Sequence, residues 1–136
     1  MTRAQPAQPA RSGQRGQDQR DQQERLAQAL ACFVDAYQSR PELVAEQQGW
    51  DPIILLAAND AVARVAVSLR DGRIDQISGE AADATLEITG GIDTLCDVLT
   101  LRRDPNEPYL FGELSVMGAE ADFVRLDYIV SRLCPR

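Results

Sequence analysis

Histidine and lysine are both missing from this 136-residue chain, and all 14 of its positive charges are arginine. Without histidine the commonest general base is gone. Without lysine there is no amine for a Schiff base. Catalysis would have to run on carboxylates, tyrosine or cysteine. Glu80, Asp83, Asp93, Asp97 and Asp104 supply carboxylates, yet no spacing sets two of them as an acid/base pair. They read as a solvated acidic surface, and no catalytic residue is assigned. Cysteine is scarce. Cys32, Cys96 and Cys134 are widely spaced and form no Cys-x-x-Cys, so neither a zinc site nor a dithiol pair is supported. No metal and no cofactor is expected. An odd cysteine count without a secretion signal fits a reducing cytoplasm. Cys32 and Cys96 lie in apolar, helix-like surroundings and read as buried packing residues, with Cys134 as the accessible one.

Long apolar runs are missing too. Nothing approaches the roughly 18 residues a membrane-spanning helix needs, and the first residues lack the apolar centre of a secretory signal. Positive charge is in deficit, with a net charge of −7. That argues against nucleic acid as a partner, which demands a basic footprint, and against electrostatic attraction to anionic membranes. The length suits one domain with a single core.

Residues 1–24 hold seven glutamines and no Val, Ile, Leu, Phe, Tyr, Trp or Cys. Such a stretch buries too little apolar area to offset its ordering entropy, and it reads as a disordered Gln-rich tail. The folded domain is expected to span 25–136. Its first helix covers Arg25 to Ser39, with Leu26, Leu30, Phe33, Val34 and Tyr37 on one face. Pro41 opens a short second helix that Gly49 ends. Trp50 follows, the only tryptophan, either a core anchor or an aromatic lip on a pocket.

Ile53-Ile54-Leu55-Leu56 is a continuous apolar run, expected as a strand buried on both faces. From Ala61 to Leu69 the pattern alternates, with Ala63, Val65, Val67 and Leu69 facing one way. Asp71-Gly72 signals a type I′ hairpin, which needs positive φ at both centres. The return strand runs to Ser78, and its off-alternation Ile74 and Ile77 predict a bulge. Ala84, Leu86 and Ile88 mark a fourth strand that Gly90-Gly91 breaks. Asp93 or Thr94 caps a helix to about Leu101, and 104–108 reads as a loop. An apolar run ends at Gly112. Leu114 and Val116 share one face of a last strand, Gly118 stops it, and Phe123, Leu126, Val130 and Leu133 then recur at helical period. The sum is α+β, a roughly five-stranded and mainly antiparallel sheet covered by helices.

Three of these stretches carry a resemblance: Asp71-Gly72 in the hairpin, Ala84-Thr85-Leu86-Glu87-Ile88 before the middle helix, and Gly112-x-Leu114-x-Val116-x-Gly118 before the last. In their order and setting, from about Leu26 to Leu133, the chain resembles the sterol carrier protein type two family. The resemblance implies a five-stranded sheet with helices over it and an apolar tunnel between. It implies non-catalytic binding, transfer or presentation of a lipid: a fatty acid, acyl-CoA, a sterol-like molecule or an isoprenoid. Some bacterial members are accessory factors of ubiquinone biosynthesis, and related domains serve as dimerising or scaffolding modules. The chain departs from the basic eukaryotic carriers in being acidic and lysine-free. It ends Cys-Pro-Arg and not in a peroxisomal address, so a cytoplasmic site is expected. The expected partners are a hydrophobic lipid and a homodimer mate or an enzyme, with no nucleic acid and no integral membrane association.

The lipid-binding residues are assigned by position. Val65 and Val67 project from the hairpin, Leu86 and Ile88 from the next strand, and Leu95 and Leu99 from the middle helix. Phe123, Leu126 and Val130 come from the last helix. Tyr109, Leu110 and Phe111 form an apolar run expected in a loop, which has little folding reason to be apolar. A chain of about 14 methylenes gains roughly 11 kcal/mol on burial, less several for association and ordering.

Overall fold

The computed structural model describes residues 7–77 and 83–134. Helix α1 runs Ala7–Gln38, followed by α2 at Pro41–Ala45. Strands β1 (Ile53–Ala58), β2 (Arg64–Arg70), β3 (Arg73–Ile77) and β4 (Leu86–Gly90) come next. Helices α3 (Ile92–Leu99) and α4 (Asn106–Leu110), strand β5 (Leu114–Gly118) and helix α5 (Glu120–Leu133) complete the chain.

The first helix starts at Ala7 rather than Arg25. Its packed half, with Leu26, Ala29, Leu30, Phe33 and Tyr37 buried, supplies the costly nucleus. Gln, Arg and Ala then extend the helix at little cost per residue. Pro9 lies in the first turn, where a missing N–H is tolerated. Gln23 ties this extension to the sheet. Its Nε2 donates to the Arg64 carbonyl at 2.7 Å and its Oε1 accepts from the Arg64 N–H at 2.9 Å. That amide acts as a one-residue strand partner at the start of β2. Residues 1–6, the start of the expected tail, lie outside the described residues.

The five strands form one sheet in the order β3-β2-β1-β4-β5. β1 and β4 are parallel, and the other neighbours are antiparallel. β1 is central, which explains its unbroken apolar run: Ile54 and Leu56 face the helices, and Leu55 is also buried on the opposite face. The β2–β3 hairpin turns on Asp71 (φ 52°) and Gly72 (φ 82°), both positive as expected. The pairing of β2 with β3 is regular from Arg70↔Arg73 to Ala66↔Ile77. The expected bulge is therefore absent over these residues. Ile74 and Ile77 simply lie on opposite faces, Ile74 packed against the core and Ile77 opposite the buried Ala66. Ser78 lies outside the described residues.

Two helix ends are made by tertiary contacts that local sequence does not announce. α3 is not capped by Asp93 or Thr94. Gly91 is its N-cap, and the Ile92 N–H donates to Asp60 Oδ1 at 2.9 Å. The capping carboxylate comes from the β1–β2 turn, where it satisfies one of the orphan donors. At the other end Leu101 takes φ 62°. The Arg102 N–H reaches the Asp97 carbonyl and the Leu101 N–H that of Val98. This is the six-to-one and five-to-two closure usually built on glycine. A leucine holds it because its side chain packs against the core.

Helices α1, α3 and α5 cover one face of the sheet, and the core lies between. Gly118, at φ 140°, lets β5 close on β4: a Cβ there would stand 2.4 Å from the Thr85 carbonyl oxygen. Cys32 is exposed, whereas Cys96 and Cys134 are buried. Two of the three cysteine expectations are thereby reversed. Cys32 lies on the outer side of α1, and Cys134 packs into the core at the end of α5.

Candidate functional site

Between the sheet and the helices lies a cavity of about 110 Å³. Its floor is the inner face of the sheet, through Ile54, Leu56, Val67, Leu69, Ile88 and Val116. Leu30 and Phe33 close it from α1, and Leu95, Val98 and Leu99 from α3. Phe123, Leu126 and Val130 form the α5 wall. Alternation along each strand and the three-four spacing along each helix deliver these side chains to one place. At roughly 24 cal/mol per Å³, a void of this size costs about 2.6 kcal/mol, which a domain of this length can carry.

The closed end is set by Tyr37. Its ring lines the cavity, its side chain is fully buried, and its hydroxyl donates to the Gly72 carbonyl in the β2–β3 turn at 2.7 Å. Burial raises the Tyr37 pKa above its ordinary value, and Arg125 pulls weakly the other way. Burial likewise raises the Cys96 thiol, against a smaller opposite pull from Arg25. Neither group has an acid/base partner at hand.

The wall reaches solvent at α4, where Asn106 and Tyr109 are its exposed members. Tyr109 and Phe123 meet there with ring centroids 5.3 Å apart. Arg103 fixes α4 to the sheet, pairing with Glu113 at 2.9 Å before β5 and with Glu107 in α4 at 3.5 Å. Apart from the Tyr37 and Tyr109 hydroxyls, the polar side chains in the wall are Asn106 and Asp127, and no arginine lines it.

Eight of the twelve residues assigned from sequence lie in this wall: Val67, Ile88, Leu95, Leu99, Tyr109, Phe123, Leu126 and Val130. Val65 and Leu86 are buried in the core outside it. Leu110 and Phe111 are not in the wall either, being 78% and 75% exposed. The expected loop is instead helix α4, and helical geometry turns only Tyr109 of the three inward. The α1 contribution, the β1 residues and Asp127 were missed. The stripe of α1 and the apolar run of β1 were visible, but nothing in a sequence says that two core elements face a gap.

Trp50 is neither a lip of this cavity nor a deep anchor. It is half-buried, its Nε1 donates to Asp122 Oδ1 at 2.8 Å, and Arg125 stacks over its ring. Arg125 also donates to the fully buried Gln47 and to the Glu46 carbonyl. This network fastens α5 to the segment after α2. Asp93 pairs with Arg25 at 2.9 Å, and Glu80 lies outside the described residues. Among the described residues no cluster of His, Cys, Asp or Glu could hold a metal, and no helix is long and apolar enough to cross a membrane.

The sequence matches no family model and no curated protein. Its fold has many likenesses among solved structures. A ubiquinone synthesis protein, UbiJ-SCP2, superposes with a TM-score of 0.60 at 15% identity, over 79% of this chain and 94% of that one. Palmitated SCP2L2 from Aedes aegypti superposes at 0.57 and 13% identity, over 77% of this chain and 96% of that one. A stereoselective inverting sec-alkylsulfatase from Pseudomonas sp. gives 0.54 at 18% identity over 68% of this chain, which spans only 14% of that enzyme's length. At such identities the likeness is one of backbone architecture: the chain has the sterol carrier protein 2 fold.

Proposed function

We propose that this protein binds a hydrophobic lipid in the cavity without chemical change, and transfers or presents it. One observation carries the reading. Every layer of the core contributes apolar side chains to a single cavity that opens between two aromatic rings, and no acid/base pair lies in its wall. A core that needed only to fold would fill this space, because interiors otherwise pack to the density of organic crystals. The twelve assigned residues divide into two roles here. Those in the wall contact the lipid chain, and Val65 and Leu86 support it from behind.

At about 110 Å³ the cavity would take a group of benzene size, as an engineered cavity of about 150 Å³ does. A whole lipid chain enters by displacing α4 and the Tyr109–Phe123 pair. Gain on burial of roughly 0.8 kcal/mol per methylene opposes the cost of that opening. The palmitate on one structural neighbour and the ubiquinone synthesis role of another support an acyl or isoprenoid chain. The lipid-binding unit is residues 25–136, with 1–24 outside it, since no cavity residue precedes Leu30. Native mass spectrometry of freshly purified protein, followed by solvent extraction, tests the reading. A near-stoichiometric acyl or isoprenoid lipid is expected. A clean apo mass together with no uptake of either a fluorescent fatty acid or a fluorescent fatty alcohol would overturn it.

A second reading, a dimerising or scaffolding module of the same fold, is favoured by the exposed Leu110, Phe111 and Met117 along α4 and β5. It requires a lipid-free dimer or enzyme complex, and light scattering of the delipidated protein decides whether a dimer exists.

A further inference from the structure

We propose that the cavity selects lipids whose polar end donates hydrogen bonds without carrying negative charge, namely long-chain alcohols, phenols or amines, and that it rejects carboxylates and phosphates. The inference rests on the cavity being a lipid site and concerns which lipid head it accepts.

The only formal charge in the wall belongs to Asp127. This carboxylate is half-buried on α5, one helical turn after Phe123 and on the same face. Asn106 stands one turn before Tyr109 on α4. The aromatic pair joins the two helices, so both polar groups sit beside the opening, where the head of a lipid whose tail fills the cavity must lie. Among the described residues Asp127 has no hydrogen-bond or ion-pair partner. Three of the nearby arginines are engaged elsewhere, and Arg102 is exposed outside the wall. Arg103 holds Glu107 and Glu113. Arg125 holds Gln47 and the Glu46 carbonyl. Arg132 donates to the Tyr128 hydroxyl at 2.6 Å. None lines the cavity, and the chain has no lysine or histidine to substitute.

A ligand carboxylate or phosphate would thus be held beside an unpaired carboxylate, next to apolar walls that weaken solvent screening. A hydroxyl or ammonium would instead give Asp127 a charge-assisted hydrogen bond that it otherwise lacks. The selection works mainly by repulsion of the wrong head, one of the two routes to specificity. Asn106, with an amide donor and a carbonyl acceptor, and the Tyr109 hydroxyl, which donates and accepts, tolerate either class and do not discriminate.

The test titrates the full-length protein by calorimetry with dodecanol, dodecylamine and dodecanoate. Dodecylamine and dodecanoate are kept below their micelle-forming concentrations and dodecanol below its solubility limit, near neutral pH, in about 0.15 M salt to screen the net charge. Dodecanol and dodecylamine are expected to bind at least about tenfold more tightly than dodecanoate. The near-isosteric Asp127→Asn should strengthen dodecanoate at least about fivefold, weaken dodecylamine, and leave dodecanol within about threefold. Circular dichroism checks that the variant is folded, and Asp75→Asn, an exposed carboxylate on β3 outside the cavity wall, should leave the ranking unchanged. Equal binding of dodecanoate and dodecanol by the unaltered protein would overturn the proposal. So would an Asp127→Asn effect of the same size on all three ligands. Binding of none of the three is a different pattern, and it removes the lipid reading itself.

Discussion

Replacing Leu126 by tryptophan should abolish lipid binding while leaving the fold standing. Leu126 lies in the α5 wall and is only partly buried, so a larger ring can enter the cavity from its open side. The void of about 110 Å³ holds roughly 2.6 kcal/mol of unrealised packing. Filling part of it returns some of that, and overpacking takes back about 1–3 kcal/mol. The two nearly cancel. For a chain of this length 1 kcal/mol moves Tm by about 4 °C, so Leu126→Trp should shift the unliganded Tm by no more than about 8 °C either way. The ligand effect is larger and one-signed. At a free concentration of about 100 Kd, binding stabilises the native state by about 2.7 kcal/mol, or about 10 °C. Thermal unfolding with and without dodecanol should show that shift in the unaltered protein and less than about 2 °C in Leu126→Trp. A variant that keeps the full ligand shift would place the lipid elsewhere and refute the cavity as the site.

Other outcomes follow from the same geometry. Tyr37→Phe leaves the buried Gly72 carbonyl without its donor and should cost about 1–3 kcal/mol in denaturant unfolding. The folded Tyr37 pKa is raised, so its stabilising contribution is complete below the ordinary tyrosine value near 10 and is lost as pH rises through the folded value. The Tm of the unaltered protein should therefore fall above about pH 10, and that of Tyr37→Phe should fall less. Asp60→Ala removes the cap of α3 and should destabilise by about 0.5–2 kcal/mol, which chemical denaturation would read. Deleting residues 1–22, which keeps the Gln23–Arg64 hydrogen bonds, should leave dodecanol affinity within about twofold, since the cavity wall begins at Leu30. Native protein should show one fast-reacting thiol, Cys32, with Cys96 and Cys134 reacting only on unfolding, as a timed thiol assay would establish.

Much of the architecture was legible because it rests on short-range regularities. The period-two pattern of β2 and the three-four stripe of α5 follow from how Cβ atoms project from strands and helices. Asp71-Gly72 announced its hairpin because few residues accept positive φ at two successive positions. The unbroken Ile53–Leu56 run announced a strand buried on both faces, as Ile54, Leu55 and Leu56 are, because apolar residues on both sides need cover on both sides. The absence of histidine and lysine removes the commonest general base and any Schiff-base amine, so catalysis would have to run on carboxylates, tyrosine or cysteine.

Tertiary structure decided the rest. Asp60 caps a helix that begins 32 residues later in the chain, and Gln23 pairs with Arg64 across 41 residues. Local propensity holds no trace of either contact. Helix α4 replaced the expected loop once Arg103 bridged it to Glu113, and that turned Tyr109 into the cavity while leaving Leu110 and Phe111 in solvent. The division of apolar residues into those that fill the core and those that line a gap depends on the spacing between layers. So does the placing of Asp127, one of 21 acidic residues, in the wall of the cavity. Periodicity determines which face of an element is apolar. Only the packed arrangement determines what that face meets.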